Sequence, residues 1–266
     1  MNSTRQHMMR SLVLCSFFLT LPVGTCRGES TDAAPSIDPQ AAKIMQEWNV
    51  LKKNNISASM EVVDTMDEVL ETGQKIQYSH VRKLKAIEPK QFWLESTGDI
   101  TNTTIWKDEK TFTLLDRDNN AYAQIPAPGT IDETMDMILD QYGVRTPLAD
   151  LLSDDLYAVL MGNVKTCRYL GLHYAEGIKC HHIAATQKDI DWQIWIDAGD
   201  VPQLRKIVIT YKQKPGEPQY TAILKSFDAM PRLPEDTFTF KAPEGAHKIS
   251  FLPVPKPVNK APEKEL

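Results

Sequence analysis

Short runs rich in β-branched and aromatic residues dominate the sequence from residue 57 to residue 228. About eleven of these runs, each about 6 to 12 residues long, alternate with turn signals. The segments 108–110 and 117–120 separate successive runs and have lengths typical of hairpin loops. The pattern predicts a meander of antiparallel strands.

Three segments have helical rather than strand periodicity. The first carries a helix cap and a first-turn proline at Asp38 and Pro39, and the second carries the capping-box pair Thr130 and Glu133. Two to three helices against about eleven strands predict a mainly β (α+β) fold. The helices are expected at about 39–53, after Thr130 as far as Tyr142, and at about 154–161.

Several of the predicted strands are apolar on both faces. A half-exposed antiparallel strand should alternate apolar and polar residues, because successive side chains point to opposite sides of the sheet. In these strands the alternation places large apolar residues on both sides, so both faces of the sheet need to be shielded from water. The opposed sets are Phe92 and Leu94 against Trp93, Trp192 and Ile194 against Trp195, and Tyr220 and Leu224 against Ile223 and Phe227.

The two ends of the chain differ from its body. Residues 1–28 have the layout of a secretory signal peptide, with two arginines before a ten-residue apolar run that is too short to cross a bilayer. The alternative is a lipobox ending at Cys26, which would anchor the protein through an acylated cysteine. Residues 29–252 are expected to form a single domain, and the proline- and lysine-rich segment 253–266 a disordered tail.

Charge and motifs exclude several classes of protein. Cleavage after residue 28 would remove three of the 30 basic residues and none of the 35 acidic ones, which leaves a formal net charge of −8. Nucleic acid is therefore an unsuitable partner. The sequence contains no recognisable catalytic motif, so we expect neither an enzyme nor a bound metal or cofactor. His181 and His182 are neighbours on one predicted strand, and their side chains should point to opposite faces.

Cys167 and Cys180 are the only cysteines in the body of the chain. Export to an oxidising compartment favours a disulfide between them. A two-residue turn at Glu176 and Gly177 would instead put Cys180 opposite His173 and leave the cysteines about 20 Å apart, too far for a bridge. The sequence leaves both possibilities open.

Longer motifs resemble those of the bacterial lipoprotein-carrier-like (LolA/LolB-like) superfamily, and most closely its family of predicted periplasmic proteins of unknown function. The resemblance implies a curved, unclosed antiparallel β-barrel whose open side is plugged by helices around an apolar cavity. In the carriers this cavity accepts acyl chains. The motifs are TTIWKDEKTFTLLDRDNNAYAQIPAPGT, YLGLHYAEGIKCHHIA, DIDWQIWIDAGDVPQLRKIVITY and PEDTFTFKAPEGAHKI.

The leading hypothesis is an exported, non-catalytic, monomeric periplasmic protein that binds a lipid, a fatty-acyl group or the acyl chain of a lipoprotein. Met135, Met137 and Met161 would serve as adaptable lid residues, although ordinary helix packing also explains them. The rival hypothesis is an interaction or sensing module that binds an envelope protein through an exposed patch or an unpaired sheet edge. The residues expected to line the cavity are Trp48, Phe92, Trp93, Met135, Ile138, Leu139, Trp192, Ile194 and Trp195.

Overall fold

The computed structural model describes residues 35–54, 57–144, 151, 153 and 155–253. These residues form one curved, unclosed and mainly antiparallel sheet of thirteen strands with three helices. The predicted fold class is therefore confirmed. The predicted signal peptide with Cys26 and nearly all of the predicted tail lie outside the described residues.

The helices are α1 (Pro39–Asn54), α2 (Ile131–Tyr142) and α3 (Leu156–Met161). The strands are β1 (Ser36–Ile37), β2 (Ser57–Val69), β3 (Lys75–Ile87), β4 (Gln91–Gly98), β5 (Asn102–Lys107), β6 (Thr111–Asp116), β7 (Ala121–Pro126), β8 (Thr166–Ala175), β9 (Ile178–Thr186), β10 (Ile190–Asp197), β11 (Leu204–Tyr211), β12 (Gln219–Asp228) and β13 (His247–Ile249). Their order across the sheet is β1-β8-β9-β10-β11-β12-β2-β3-β4-β5-β6-β7-β13.

The eleven predicted strands correspond to β2 to β12, and each pairs antiparallel with its neighbours among them. The sequence missed β1 and β13, which add short parallel pairings to β8 and β7 at the two ends of the sheet. Segments of two or three residues are too short to show a period of two. Their pairing is decided by contact with strands more than a hundred residues away in the chain.

The predicted capping residues of α2 form the expected hydrogen bonds. Thr130 accepts a hydrogen bond from the Glu133 amide (3.2 Å), and the Glu133 carboxylate accepts one from the Thr130 amide (2.8 Å). Gly143 ends α2 in the left-handed conformation at φ 65°, which glycine adopts without steric cost. Asp155 caps α3, which begins at Leu156, two residues after the predicted start.

The helices pack on one side of the sheet, which we call the inner face. Apolar side chains of α1, α2 and α3 share a single buried core with alternate residues of the strands. Burial of this face removes its large apolar area from water, which is the main stabilising contribution in such a fold. Its largest members include Met45, Trp48, Phe92, Phe112, Ile138, Leu156, Trp192 and Ile194.

The opposite side, which we call the outer face, is covered by neighbouring side chains instead of helices. Trp195 lies there with Cys180 and Val208 in a small separate cluster. The Lys206 ammonium group lies 4.8 Å from the centre of the Trp195 ring. Trp93 is only partly buried, and it is covered in the same way by Lys85 at 4.9 Å. These cation–π contacts explain how aromatic rings remain on the outer face of the sheet.

One predicted face assignment is wrong. The sequence placed Phe227 on the opposite side of β12 from Leu224, whereas both side chains pack against the inner core. The register of β12 against β2 shifts between Leu224 and Ser226. This β-bulge adds one residue and so reverses the alternation beyond it. The shift brings Phe227 opposite Met60.

Both Cys167 and Cys180 are buried free thiols. The turn at Glu176 and Gly177 has positive φ angles of 49° and 80° and sets the predicted register, in which Cys180 faces His173. Cys167 faces Ala185 further along the same pair of strands. Burial raises the pKa of the Cys167 thiol to about 11, so the thiol stays protonated and unreactive near neutral pH.

Lys107 links two hairpin turns and the segment that leads into α2. Its side chain is fully buried, and its ammonium group donates to the carbonyl oxygens of Lys90 (3.2 Å), Asp108 (2.5 Å) and Gly129 (3.3 Å). Burial lowers its pKa, because charge is disfavoured away from water. The three acceptors lie in the β3–β4 turn, the β5–β6 turn and the segment that leads into α2.

Replacement of Lys107 by Met should destabilise the protein by about 2–4 kcal/mol. Methionine fills similar space but leaves three buried carbonyl groups without their charged donor. Urea unfolding followed by circular dichroism would measure the change. Lys110→Met, an exposed substitution in the adjacent turn, serves as the control, and equal stability of the two variants would contradict the role of Lys107.

Candidate functional site

A cleft of about 170 Å³ lies between the inner face and the C-terminal end of α1. α3, the β10–β11 loop and the end of β12 complete its described walls. Except for Lys52, Glu88 and Gln203, its described lining residues are apolar. They are Trp48, Leu51, Ala58, Met60, Leu151, Leu156, Val201, Pro202, Leu204, Leu224, Phe227 and Ala229.

Lys52 and Glu88 form an ion pair in the wall of the cleft. The Lys52 Nζ lies 2.9 Å from Glu88 Oε2, and it also donates to the carbonyl oxygen of Ser153. The two side chains are only 12% and 16% exposed. The pair is therefore largely withdrawn from water within a mainly apolar surface.

A second ion pair lies deeper in the inner face, on β2 and β3. Arg82 binds the Asp64 carboxylate through Nε (2.5 Å) and Nη2 (3.2 Å), and it donates to Ser96 Oγ (2.8 Å). His80 Nδ1 lies 3.3 Å from Asp64 Oδ2. Burial raises the pKa of neighbouring Tyr220, and the Asp64 charge adds to the effect. This cluster lines neither the cleft nor the second depression described below.

The predicted cavity residues fall into three groups. Trp48 lines the cleft. Phe92, Ile138, Trp192 and Ile194 are buried in the inner core outside the cleft walls, and Met135 packs against that core. Leu139 is 39% exposed on α2, and Trp93 and Trp195 lie on the outer face. The proposed lid residues Met137 and Met161 also pack against the inner core.

Most of the cleft was not apparent from the sequence. Its described walls come from six separate parts of the chain, which only the folded sheet brings together. Leu51 was recognisable as part of the apolar stripe of α1. Leu224 and Phe227 were placed on opposite faces because the bulge in β12 has no clear sequence signal. Nothing in the periodicity indicated that the β10–β11 loop supplies Val201 and Pro202.

A second depression, of about 350 Å³, lies over β8, β9 and β10. Five of its eight described lining residues have polar side chains. The lining residues are Thr166, Arg168, Ala184, Ala185, Thr186, Asp191, Trp192 and Gln193. The cleft has twelve apolar residues among its fifteen described lining residues, and the second depression has three among eight.

The histidines on β8 and β9 form two separate contacts. His181 Nδ1 lies 2.9 Å from the Tyr169 hydroxyl. His182 Nδ1 lies 2.8 Å from His173 Nδ1, and the His182 ring stacks on Trp195 at 4.0 Å. The neighbouring histidines thus have different partners, as their predicted opposite orientation requires. Among the residues that the structure describes, no group of three or more His, Cys, Asp or Glu side chains is arranged to hold a metal ion.

The sequence from residue 41 to residue 252 matches the family described as "Predicted periplasmic protein (DUF2092)". The chain belongs to this family. The resemblance to a family of predicted periplasmic proteins, recognised from the sequence motifs, is thereby confirmed. No protein with a curated description matches this chain. In the described part of the chain, none of the helices has the length and apolar character needed to cross a bilayer.

Several solved structures are similar to this DUF2092 protein at low sequence identity. An uncharacterized conserved protein from Thermus thermophilus has a TM-score of 0.47 and 11% identity, over 79% of this chain and 99% of that one. LprF from Mycobacterium bovis has a TM-score of 0.44 and 17% identity, over 75% and 98%. A LolA superfamily protein from Nitrosomonas europaea has a TM-score of 0.35 and 11% identity, over 75% and 97%.

The buried His182 should make stability depend on pH. Burial lowers the pKa of folded His182, and the nearby His173 and Lys206 charges lower it further. The unfolded state therefore takes up a proton more readily, so the free energy of unfolding should fall as pH drops below about 6.5. His182→Gln should reduce this slope in urea titrations between about pH 7 and pH 5. His247→Gln, at an exposed position, should leave it unchanged, whereas equal slopes in all three proteins would refute the assignment.

Proposed function

We propose that this protein is exported to the periplasm by its N-terminal signal peptide and there binds the acyl chain of a lipid or lipoprotein without catalysing a reaction. The observation that carries the proposal is the apolar cleft between the inner face, α1 and α3. Concave sites with apolar walls and a few placed polar groups are the usual binding sites for small apolar ligands. The family description as a predicted periplasmic protein supports the compartment.

The size of the cleft suits part of an acyl chain. An apolar cavity of about 150 Å³ accepts a ligand the size of benzene, and the cleft here measures about 170 Å³. Each methylene group transferred from water into it would contribute about 0.8 kcal/mol. Several methylene groups would therefore provide useful affinity without any charged contact.

The mechanism we propose is burial of the chain end between Leu224 and Phe227 on one side and Trp48 on the other. Met135, Met137 and Met161 would adapt the helical cover to the ligand, because unbranched thioether side chains fill irregular space. The lipobox alternative would tether the same cleft to a membrane through Cys26. The proposed monomer would need no second subunit to complete the cleft.

Filling the cleft should abolish ligand uptake. We expect native mass spectrometry of protein isolated from a periplasm to show an acyl-bearing adduct, and the apo protein to take up a fluorescent lysolipid. Ala229→Trp places a large ring in the cleft and should weaken uptake at least about tenfold. Met230→Trp changes the adjacent residue, which is 86% exposed and does not line the cleft, and should have no effect. A clean apo mass together with no uptake by the unmodified protein would reject the proposal.

The rival function, an interaction or sensing module, is favoured by one specific observation. Among the described residues, the edge of β8 that faces away from β9 is paired only at Thr166 and Cys167, with β1. Beyond them no described strand pairs with this edge, which carries Leu172 (43% exposed) and Tyr174 (69% exposed). An open edge with apolar side chains can accept a strand from a partner.

The two functions separate experimentally, because the open edge and the cleft share no lining residue. Leu172→Lys combined with Tyr174→Lys should leave lysolipid uptake unchanged if lipid binding is the function. If the protein instead acts through the edge, in vivo cross-linking to a specific envelope protein should disappear in this variant, while the unmodified protein shows no lipid uptake.

A further inference from the structure

We infer that His173 and His182 bind a single divalent transition-metal ion on the outer face of the sheet, with copper(II) held more tightly than nickel or zinc. The site is separate from the cleft, because neither histidine is among the described cleft-lining residues. The inference therefore goes beyond the proposed lipid binding and does not depend on it. It rests on the spacing of two ring nitrogens, on the contacts that hold one ring in place, and on the exposure of the other.

The β8–β9 hairpin brings the two histidines together. The sequence favoured no bound metal, since the neighbours His181 and His182 point to opposite faces. The register of the hairpin supplies a different partner, because it places His173 opposite Cys180 and Gly171 opposite His182. Residues two apart on a strand share a face, so His173 and His182 lie diagonally on one face. Gly171 has no side chain to cover the His182 ring, and the two Nδ1 atoms lie 2.8 Å apart.

The His182 ring is held with its Nδ1 lone pair facing His173. His182 Nε2 lies 3.1 Å from Gln193 Oε1. An amide oxygen can only accept a hydrogen bond, so Nε2 carries the ring hydrogen and Nδ1 is left with its lone pair. Trp195 stacks on the same ring at 4.0 Å with an angle of 15° between the planes. Metal-binding histidines usually donate their other ring N–H to such an acceptor, which fixes the tautomer and the ring orientation.

The His173 ring can adapt to an ion, because it is exposed on β8 whereas His182 is only 8% exposed. In the metal-free protein His173 Nδ1 donates the hydrogen bond to His182 Nδ1. Exposure lets His173 carry its hydrogen on Nε2 towards water and turn its Nδ1 lone pair to the ion. Neighbouring ligands of a square-planar ion with bonds of about 2.0 Å lie about 2.8 Å apart, which matches the observed separation of the two nitrogens.

The ligand set favours copper(II). Imidazole nitrogen suits copper, nickel and zinc, and affinity among these divalent ions is highest for copper. In the part of the chain that the structure describes, no third His, Cys, Asp or Glu completes a metal-binding group, so water would occupy the other positions. The Lys206 charge, on β11 beyond Trp195, opposes the ion. We therefore expect an open site that exchanges its metal, and not a closed structural site.

The experiment titrates the protein, purified without an affinity tag, with copper(II), zinc(II) or magnesium chloride in a non-coordinating buffer at pH 7.5. Calorimetry should show one copper ion bound per chain, weaker binding of zinc, and no binding of magnesium, which prefers oxygen ligands. Electron paramagnetic resonance of the copper complex should show two coordinated imidazole nitrogens. Copper should also raise the Tm, because it binds the folded state.

His173→Asn is the decisive variant, because an exposed side chain can be replaced without unfolding the protein. It should weaken copper binding at least about tenfold and abolish the rise in Tm. His181→Asn is the matched control. His181 is adjacent to His182 in sequence, but it contacts Tyr169 on the opposite face of the strand. This control should bind copper as the unmodified protein does.

Gln193→Leu tests the positioning of His182. Loss of the acceptor for Nε2 should weaken copper binding about tenfold, while both histidines remain as ligands in the resonance spectrum. Gln124→Leu is the control, because Gln124 donates to Thr113 at 3.0 Å in another part of the sheet. It should leave the copper affinity unchanged.

The outcomes test this inference independently of the proposed function. Equal copper affinity in the unmodified protein and in His173→Asn would overturn it, and so would a copper spectrum without imidazole nitrogens. The contact between His173 and His182 would then be a hydrogen bond that serves the hairpin alone. Lysolipid uptake should be the same in the unmodified protein and in His173→Asn, since His173 does not line the cleft.

Discussion

The buried ammonium group of Lys107 connects the parts of the fold that close the inner face. Its three carbonyl acceptors belong to two hairpin turns and to the segment before α2. Two backbone hydrogen bonds link the same segments, from the Ala127 amide to Lys110 and from the Ile131 amide to Pro89, both at 2.7 Å. A charge without water needs such a shell of acceptors. The shell fixes where α2 begins, and α2 then covers the inner face with Ile131 and Ile138.

The cleft exists because the described helices do not cover the whole inner face of the sheet. A curved sheet of thirteen strands presents a long inner face, and only three helices of 16, 12 and 6 residues are described on it. α1 covers its part with an apolar stripe, whereas α3 is short and buries a single residue, Leu156. The inner face between the end of α1 and the β10–β11 loop is therefore incompletely filled. The proposed acyl ligand would enter a space whose described walls folding has already ordered.

The sequence predicted what depends on local periodicity. The eleven long strands, the N-terminal cap of α2 and the hairpin at Glu176 and Gly177 all followed from neighbouring residues. Alternation also predicted that Trp192 and Trp195 lie on opposite faces, but it could not identify the inner one. That choice depends on which face the helices cover, a property of the whole sheet. Trp192 is 2% exposed in the inner core, and Trp195 is on the outer face under Lys206.

Long-range geometry decided what the sequence could not predict. β1 and β13 exist only because β8 and β7 offer free edges to short segments. The bulge in β12 moves Phe227 into the cleft wall, and strict alternation would have placed it outside. The predicted cavity residues were chosen by size and apolar character, which identify a core well. They do not identify the part of a core that is left unfilled.

The two ion pairs of the inner face show why position decides what a polar group can do. Asp64 and Arg82 bind each other at two points, and the remaining donor contact of Arg82 goes to Ser96. Their hydrogen bonds are used within the sheet, so the pair stabilises strand packing and lines no described cleft. Lys52 and Glu88 instead line the cleft, where their side chains are 12% and 16% exposed. The same kind of ion pair therefore lies within the sheet at one position and in the wall of a cleft at the other.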